Sequence, residues 1–224
     1  MAIAPVISVV GKSNVGKTTL LEKLVAELAR RGHRVATIKH DTHGFDIDKP
    51  GKDTWRLAQA GSAAVVISSP TKMALIRNVE REATLDEIAA MLEDDVDLIL
   101  TEGYKRGNKP KIEVFRQGAV PREGGDSLLC TEDELIAIAT DTSQPLHVPQ
   151  FGLDDAAGLA DFLEEKYISK AADQTVSLTI NGVRMRLKEF PTNVIDRTIK
   201  GLVSALDNVP EEGTIVLKVY RGRK

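Results

Sequence analysis

The fold is indicated by one stretch near the N-terminus, residues 6–38, which reads VISVVGKSNVGKTTLLEKLVAELARRGHRVATI. Its first five residues are mostly apolar and β-branched, which is typical of a strand buried on both faces of a parallel sheet. Leucines and valines then recur along one face of a helix that ends at Gly32. Residues 35–38 form a second apolar strand, so the stretch predicts a βαβ unit.

A glycine-bearing loop joins the first strand to the helix. Residues 11–18, GKSNVGKT, match the phosphate-binding pattern G-x-x-x-x-G-K-[ST] in the setting that the pattern requires. In such a loop, backbone amides and the helix N-terminus point at phosphate oxygens. We expect Lys17 to contact the β- and γ-phosphates and the hydroxyl of Thr18 to ligate Mg²⁺.

A P-loop also needs an acidic residue to hold or orient magnesium. We expect it where a neighbouring strand ends, because loops at the carboxyl ends of parallel strands line such sites. Glu102 follows the apolar run 97–101 and precedes Gly103, which permits close approach. Asp41, two residues after Lys39 at the end of the second strand, is the alternative and could act through water. The sequence is compatible with both.

Two other features bear on the chemistry. Residues 39–48 hold two of the four histidines and three aspartates, but their spacing matches no familiar metal-ligand set, and a polar loop lining the site explains them equally well. The guanine-specifying pattern Asn-Lys-x-Asp is absent, since residues 108–111 read NKPK. The motifs therefore predict a nucleoside phosphate without choosing its base.

Strand and helix patterns alternate up to about residue 168, which predicts an α/β fold with a mostly parallel sheet flanked by helices. Beyond a polar linker, Asn181-Gly182 between two alternating runs predicts a hairpin, followed by a helix over 193–206 and a strand over 214–220. We divide the chain into a nucleotide-binding domain, residues 1–168, and a small ββαβ appendage, residues 174–224. The remaining predicted elements are strands at 63–67, 73–76, 97–101, 111–115 and 137–139, and helices at 54–60, 84–92 and 154–166.

Composition restricts the class of protein. The chain has 224 residues and a net charge of −3, which argues against binding nucleic acid or an anionic membrane through bulk charge. No apolar stretch approaches the ~20 residues needed to cross a bilayer, and the N-terminus lacks a secretory pattern. The single cysteine, Cys130, excludes an intramolecular disulfide and a four-cysteine zinc site. We expect a soluble cytoplasmic protein with no nucleic-acid or membrane partner.

Four segments together resemble the MobB family, the molybdopterin-guanine dinucleotide biosynthesis proteins B. They are GKSNVGKTT (11–19), IKHDTHGFDIDKPGKDTWR (38–56), TEGYK (101–105) and KIEVFR (111–116), and the resemblance covers roughly residues 4–165. The P-loop alone is not specific to this family, whereas the long second segment and TEGYK are much more specific to it. The appendage is not part of the family pattern.

The resemblance implies a P-loop GTPase-like fold, binding of GTP with Mg²⁺, weak GTP hydrolysis and a homodimer. It also implies a supporting role beside the nucleotidyltransferase MobA, which joins GMP to molybdopterin, and molybdopterin itself is a candidate ligand. Glu102 would stand near the magnesium and, with Lys17, carry catalysis. By position, the nucleotide would be held by Gly11, Lys12, Ser13, Asn14, Val15, Gly16, Lys17, Thr18 and Thr19. The rest of the cleft would be lined by Lys39, Asp41, His43, Asp53 and Arg56.

Two other functions are compatible with the same motifs. A small-molecule kinase of this fold would need an acceptor pocket and a mobile lid with clustered arginines. The loops 52–56 and 104–106 are the candidates for such a lid, but they hold few arginines. A nucleotide-dependent cofactor delivery module would use the nucleotide to set a conformation, without significant turnover.

Overall fold

The centre of the computed structural model is a six-stranded parallel sheet. The structure describes residues 4–42, 44–45, 47–92, 96–119, 127–169, 176, 178–180, 183–185, 187, 189–206 and 215. In their order across the sheet, the strands are β2 Val35–Lys39, β5 Leu98–Glu102, β1 Val6–Val10, β6 Lys111–Phe115, β7 Leu135–Thr140 and β8 Gln150–Phe151. The predicted mostly parallel α/β fold is confirmed. The two-residue strand β8 was not predicted, because so short a strand carries no periodicity.

Both faces of β1 are buried, which explains its nearly continuous apolar sequence. Ile7 and Val9 belong to a core shared with helix α1, Lys17–Arg30, and helix α4, Ala156–Leu163. Val6 belongs to a second core on the opposite face, which includes residues of helix α3, Leu85–Ala89. The βαβ unit predicted at the N-terminus is confirmed by β1, α1 and β2.

Two predicted helices differ from the structure at their ends. Helix α3 stops at Ala89 rather than residue 92, and tight turns follow as Met91 and Leu92 donate to the carbonyls of Ile88 and Ala89. Helix α4 begins after Asp155, whose carboxylate caps it by accepting from the backbone N–H of Gly158, and a π-helical turn, Glu164–Ile168, continues it.

Residues 41–84 form a compact unit of their own, while residues 1–40 and 85–224 form the other. The smaller unit contains helix α2, Asp53–Gln59, and an antiparallel pair of strands, β3 Ala64–Ser68 and β4 Met73–Arg77. The sequence predicted both strands but not their antiparallel pairing or their separation from the parallel sheet. Only four residues join them, whereas a parallel crossover needs a dozen or more.

Near the C-terminus, the predicted hairpin is confirmed by the antiparallel pair β9 Leu178–Ile180 and β10 Val183–Met185, and β10 lies next to α3. Helix α5, Glu189–Val203, begins four residues earlier than predicted, because Pro191 is tolerated in a first turn where no N–H donor is needed. The predicted strand 214–220, apart from Ile215, and the predicted linker 169–174, apart from Ser169, lie outside the described residues, so the domain boundary stays a prediction. No helix in the described part of the chain is long and apolar enough to span a bilayer.

Candidate functional site

The P-loop is a tight turn that only particular residues permit. The backbone φ angle of Gly11 is +153°, and a Cβ atom there would lie 2.6 Å from the carbonyl oxygen of Val114 on β6. Asn14 has a φ of +63°, in the left-handed region that asparagine tolerates. Gly16, with a φ of +100°, caps the start of α1. The loop therefore needs glycine where the chain approaches β6 and where it enters the helix.

Lys17, in the first turn of α1, is half-buried beside the loop. Its Nζ atom donates a hydrogen bond of 2.7 Å to the carbonyl oxygen of Lys12. Burial lowers the pKa of the Lys17 ammonium; nearby Glu102 acts to raise this pKa, and the charges of Lys105 and Lys39 lower it further. The ammonium of Lys17 therefore lies within electrostatic range of one carboxylate, Glu102, and of two further cations, Lys39 and Lys105.

Glu102 and Thr18 lie in direct contact. The hydroxyl of Thr18 donates a hydrogen bond of 2.9 Å to Oε2 of Glu102. The sheet register places Glu102 beside Val9 on one side and Lys39 on the other. Two hard oxygen donors at the phosphate-binding loop suit Mg²⁺, which proteins hold through one or two carboxylates together with substrate phosphates. Among the described residues, no three His, Cys, Asp or Glu side chains are grouped as a metal site of their own.

The segment after Glu102 ties the ends of three strands together. The N–H of Gly103 donates to the carbonyl of Val9 on β1, and the N–H of His40, just after β2, donates to the carbonyl of Glu102. A Cβ atom on Gly103 would lie 3.0 Å from that of His40. Tyr104, with a φ of +55°, stacks on the His40 ring at a centroid distance of 4.7 Å. This stack was not predicted, although both residues lie in the segments that carry the family resemblance.

A cavity of about 680 Å³ lies at the carboxyl ends of β6, β7 and β8. It is lined by Arg116, Thr140, Asp141, Gly152, Leu153, Asp154 and Asp155. Arg116 also borders the P-loop, since a Cβ atom on Gly16 would lie 3.7 Å from its Nη2 atom. Sequence reasoning missed this cavity because its lining comes from separate places after β6, at the end of β7 and after β8, and only Arg116 lies in a segment that carries the family resemblance.

The other predicted cleft residues lie in the unit formed by residues 41–84 or outside the described residues. Asp53 and Arg56 are exposed in the first and last turns of α2. Asp41 is the first residue of that unit. His43 lies outside the described residues. Their role in lining the nucleotide cleft, and that of Asp41 as an alternative metal ligand, stay predictions.

Comparison with known proteins identifies a family and its solved structures. The model of the MobB family, described as molybdopterin guanine dinucleotide synthesis protein B, matches residues 6–141. The chain is 39% identical over 164 residues to the molybdopterin-guanine dinucleotide biosynthesis adapter protein of Escherichia coli (strain K12), covering 72% of this chain and 92% of that one. A crystal structure of molybdopterin-guanine biosynthesis protein B superposes with a TM-score of 0.54 at 32% identity, covering 71% of this chain and 97% of the other.

Another relative matches more of the chain. The putative molybdopterin-guanine dinucleotide biosynthesis adapter protein of Methanocaldococcus jannaschii is 24% identical over 239 residues, and the alignment covers 96% of this chain and 97% of that one. Coverage this complete includes most of residues 174–224. The C-terminal segment therefore has a counterpart in at least one relative.

Proposed function

The chain belongs to the MobB family of molybdopterin guanine dinucleotide synthesis proteins, and on that premise we propose that it is a GTP-binding adapter protein of this biosynthesis. GTP is held by the P-loop together with Mg²⁺ and is hydrolysed slowly. The observation that carries the proposal is the hydrogen bond between Thr18 and Glu102, which joins the motif hydroxyl to the acidic residue that such a site requires.

The cationic side chains support binding of a triphosphate rather than of a neutral ligand. Lys17 reaches across the loop, and Lys39 and Lys105 are close enough to influence its pKa. A triphosphate carries several negative charges, and cations at the loop would offset them together with the backbone amides. Lys39 and Lys105 extend this positive region beyond the P-loop, where a further anionic group, such as that of molybdopterin, would be favoured.

Mg²⁺ would be held by the Thr18 hydroxyl and the Glu102 carboxylate, and when bound it neutralises charge on the β- and γ-phosphate oxygens. The residues of this chain do the remaining work. The backbone of residues 11–16 orients the phosphates, and Lys17 places a positive charge beside them. The Glu102 carboxylate also accepts hydrogen bonds, so it can orient a water molecule near the terminal phosphate.

The term "adapter" in the names of the relatives supports a role beside another enzyme. We propose that the partner is a nucleotidyltransferase of the MobA type and that the chain acts as a homodimer. In this role, turnover of GTP is slow on its own and responds to the partner. Bound nucleotide sets the state of the protein that the partner recognises.

Calorimetry and product analysis on one preparation test the proposal. We expect binding of GTP in the presence of Mg²⁺ and slow release of phosphate. We also expect the rate of phosphate release to differ between the chain alone and the chain with the nucleotidyltransferase. A phosphorylated small-molecule acceptor would instead identify a kinase, and tight binding without phosphate release under either condition would identify a delivery module. Absence of binding by any nucleoside triphosphate would contradict all three functions.

A further inference from the structure

The sheet order separates the two ends of a bound nucleotide. Thr18 and Glu102 mark the end where the terminal phosphates lie, and Glu102 belongs to β5, on one side of β1. Strands β6, β7 and β8 lie on the other side of β1. A nucleotide whose γ-phosphate faces Glu102 therefore extends its nucleoside towards the carboxyl ends of β6–β8.

The cavity at the carboxyl ends of these strands has the size and position for a nucleoside. Its volume of about 680 Å³ falls within the range of small-molecule sites. Arg116 lines it and also borders Gly16, so the cavity adjoins the P-loop. Leu153 contributes apolar surface, and the planar guanidinium of Arg116 can stack on an aromatic ring.

Two of the three carboxylates in this cavity have structural partners. Asp154 pairs with Lys23 of α1 at 2.5 Å, and this hydrogen bond lowers the pKa of its carboxyl. Asp155 caps α4 through the N–H of Gly158, at 2.9 Å. These contacts hold the loop that follows β8 against α1 and α4, so their carboxylates are already engaged.

The third carboxylate, Asp141, is oriented by the loop that follows β6. Its Oδ1 atom accepts a hydrogen bond of 3.0 Å from the backbone N–H of Gln117, with a longer contact of 3.5 Å from the hydroxyl of Thr142. Both of these bonds go to the same oxygen, which aligns the carboxylate at the edge of the cavity. Fixing a polar group through backbone contacts is how a binding site gains specificity.

We infer that this cavity binds the base of the nucleotide and that Asp141 recognises guanine. A carboxylate can only accept hydrogen bonds, and guanine presents two adjacent donors, N1–H and the 2-amino group. Adenine presents the N1 acceptor at the corresponding place, which a carboxylate repels. The inference rests on the proposed function and adds to it the residue that recognises the guanine base, which no sequence motif of this chain specifies.

Competition binding with GTP, ITP, XTP and ATP, each with Mg²⁺, tests the inference on the wild-type chain and on Asp141→Asn. In the wild type we expect GTP to bind more tightly than ITP, which lacks the 2-amino group, and ATP to bind most weakly. In Asp141→Asn, GTP affinity falls roughly 10- to 100-fold, since a charge-assisted hydrogen bond is lost. XTP affinity rises, because an amide offers one donor and one acceptor to N1–H and the 2-oxo group of xanthine.

Asp133→Asn is the matched control, because Asp133 is exposed in the turn before β7 and lies outside the cavity lining. It removes the same charge, and the order of the four nucleotides should not change. Equal GTP and ATP affinities in the wild type overturn the inference but leave the triphosphate site intact. An unchanged ratio of GTP affinity to XTP affinity in Asp141→Asn also overturns it. So does a change of preference from GTP towards XTP that is seen only in Asp154→Asn. If no nucleotide binds the wild type, the proposed function fails and the inference fails with it.

Discussion

Thr18 and Glu102 are 84 positions apart in the sequence, yet the hydroxyl of one donates a 2.9 Å hydrogen bond to the carboxylate of the other. Thr18 belongs to the first turn of α1, and Glu102 is the last residue of β5. The contact exists because β5 pairs directly with β1, whose end leads into the P-loop. The order of the strands thus brings together the two side-chain oxygen atoms that would hold Mg²⁺.

The first prediction concerns Glu102. Glu102→Gln should retain most of the affinity for GTP but lose Mg²⁺-dependent hydrolysis, by roughly 10²-fold, because the amide keeps the shape and removes the negative charge. Phosphate release and calorimetry measure the two effects separately. Glu165→Gln, at an exposed site after α4, is the control and should hydrolyse GTP at the parent rate. Hydrolysis at the parent rate in Glu102→Gln would indicate Asp41 as the acidic residue instead.

The second prediction concerns Lys17. Lys17→Ala removes a positive charge from the phosphate site, and charge-assisted hydrogen bonds contribute roughly 1.5–3 kcal/mol. GTP affinity should fall by about one to two orders of magnitude, with the fold intact by circular dichroism. Lys166→Ala, at an exposed lysine in the turn after α4, should leave the affinity unchanged. Equal affinities in the wild type and Lys17→Ala would show that this ammonium does not contact the phosphates.

The third prediction concerns the glycine that begins the P-loop. In Gly11→Ala the new Cβ would lie 2.6 Å from the carbonyl oxygen of Val114, so the loop or β6 must shift. We expect a loss of at least about 2 kcal/mol in the free energy of unfolding, together with weaker GTP binding. Chemical denaturation measures the first effect and calorimetry the second.

Gly32→Ala is its control, because Gly32 also has a positive φ of +95° but no atom within 4 Å of the new Cβ. Its free energy of unfolding should fall by only about 1 kcal/mol, because alanine disfavours a positive φ, and its GTP affinity should be retained. Similar effects of the two substitutions would show that the close approach to Val114 is unimportant.

The fourth prediction concerns acid stability. Hydrogen bonds from Arg30 and Arg31 lower the pKa of Glu27 from 4.5 to about 2. Because the pKa is lower in the folded state, these contacts stabilise the fold above about pH 4.5 and are lost as the pH falls towards 2. The difference in Tm between the wild type and Glu27→Gln should therefore be largest near neutral pH and shrink steadily below pH 4.5. A difference that does not vary with pH would exclude ionic pairing as its cause.

The fifth prediction concerns residues 174–224, which carry nine Lys or Arg and five Asp or Glu and are therefore net positive, at +4. The remainder of the chain is then −7, from the total of −3, so charge favours docking. Truncation after Ser169 should lower the Tm or weaken dimerisation and leave GTP affinity nearly unchanged. Thermal melts measure the Tm, and light scattering measures the oligomeric state. A freely tumbling segment would leave both unchanged, and a large loss of GTP affinity would place the segment at the nucleotide site.

Local patterns were sufficient for much of the molecule. The P-loop, the strand before it and the helix after it could be predicted because each depends on residues close together in the chain. Glu102 could be chosen because a strand end is visible as the end of an apolar run. The hairpin of β9 and β10 was predicted for the same reason, since a turn is determined by its own residues.

Long-range pairing could not be predicted in this way. The sequence showed β3 and β4 as strands, but not that they pair with each other and lie outside the parallel sheet. Likewise, Arg116, Asp141 and Asp154 come from three loops, and only the adjacency of β6, β7 and β8 brings them to one cavity. The sequence alone determined the family and the glycine-bearing loop between β1 and α1, and it left Glu102 and Asp41 as the candidates for the acidic residue. The tertiary structure decided which distant residues meet, because strand order depends on how the whole chain packs rather than on any short segment.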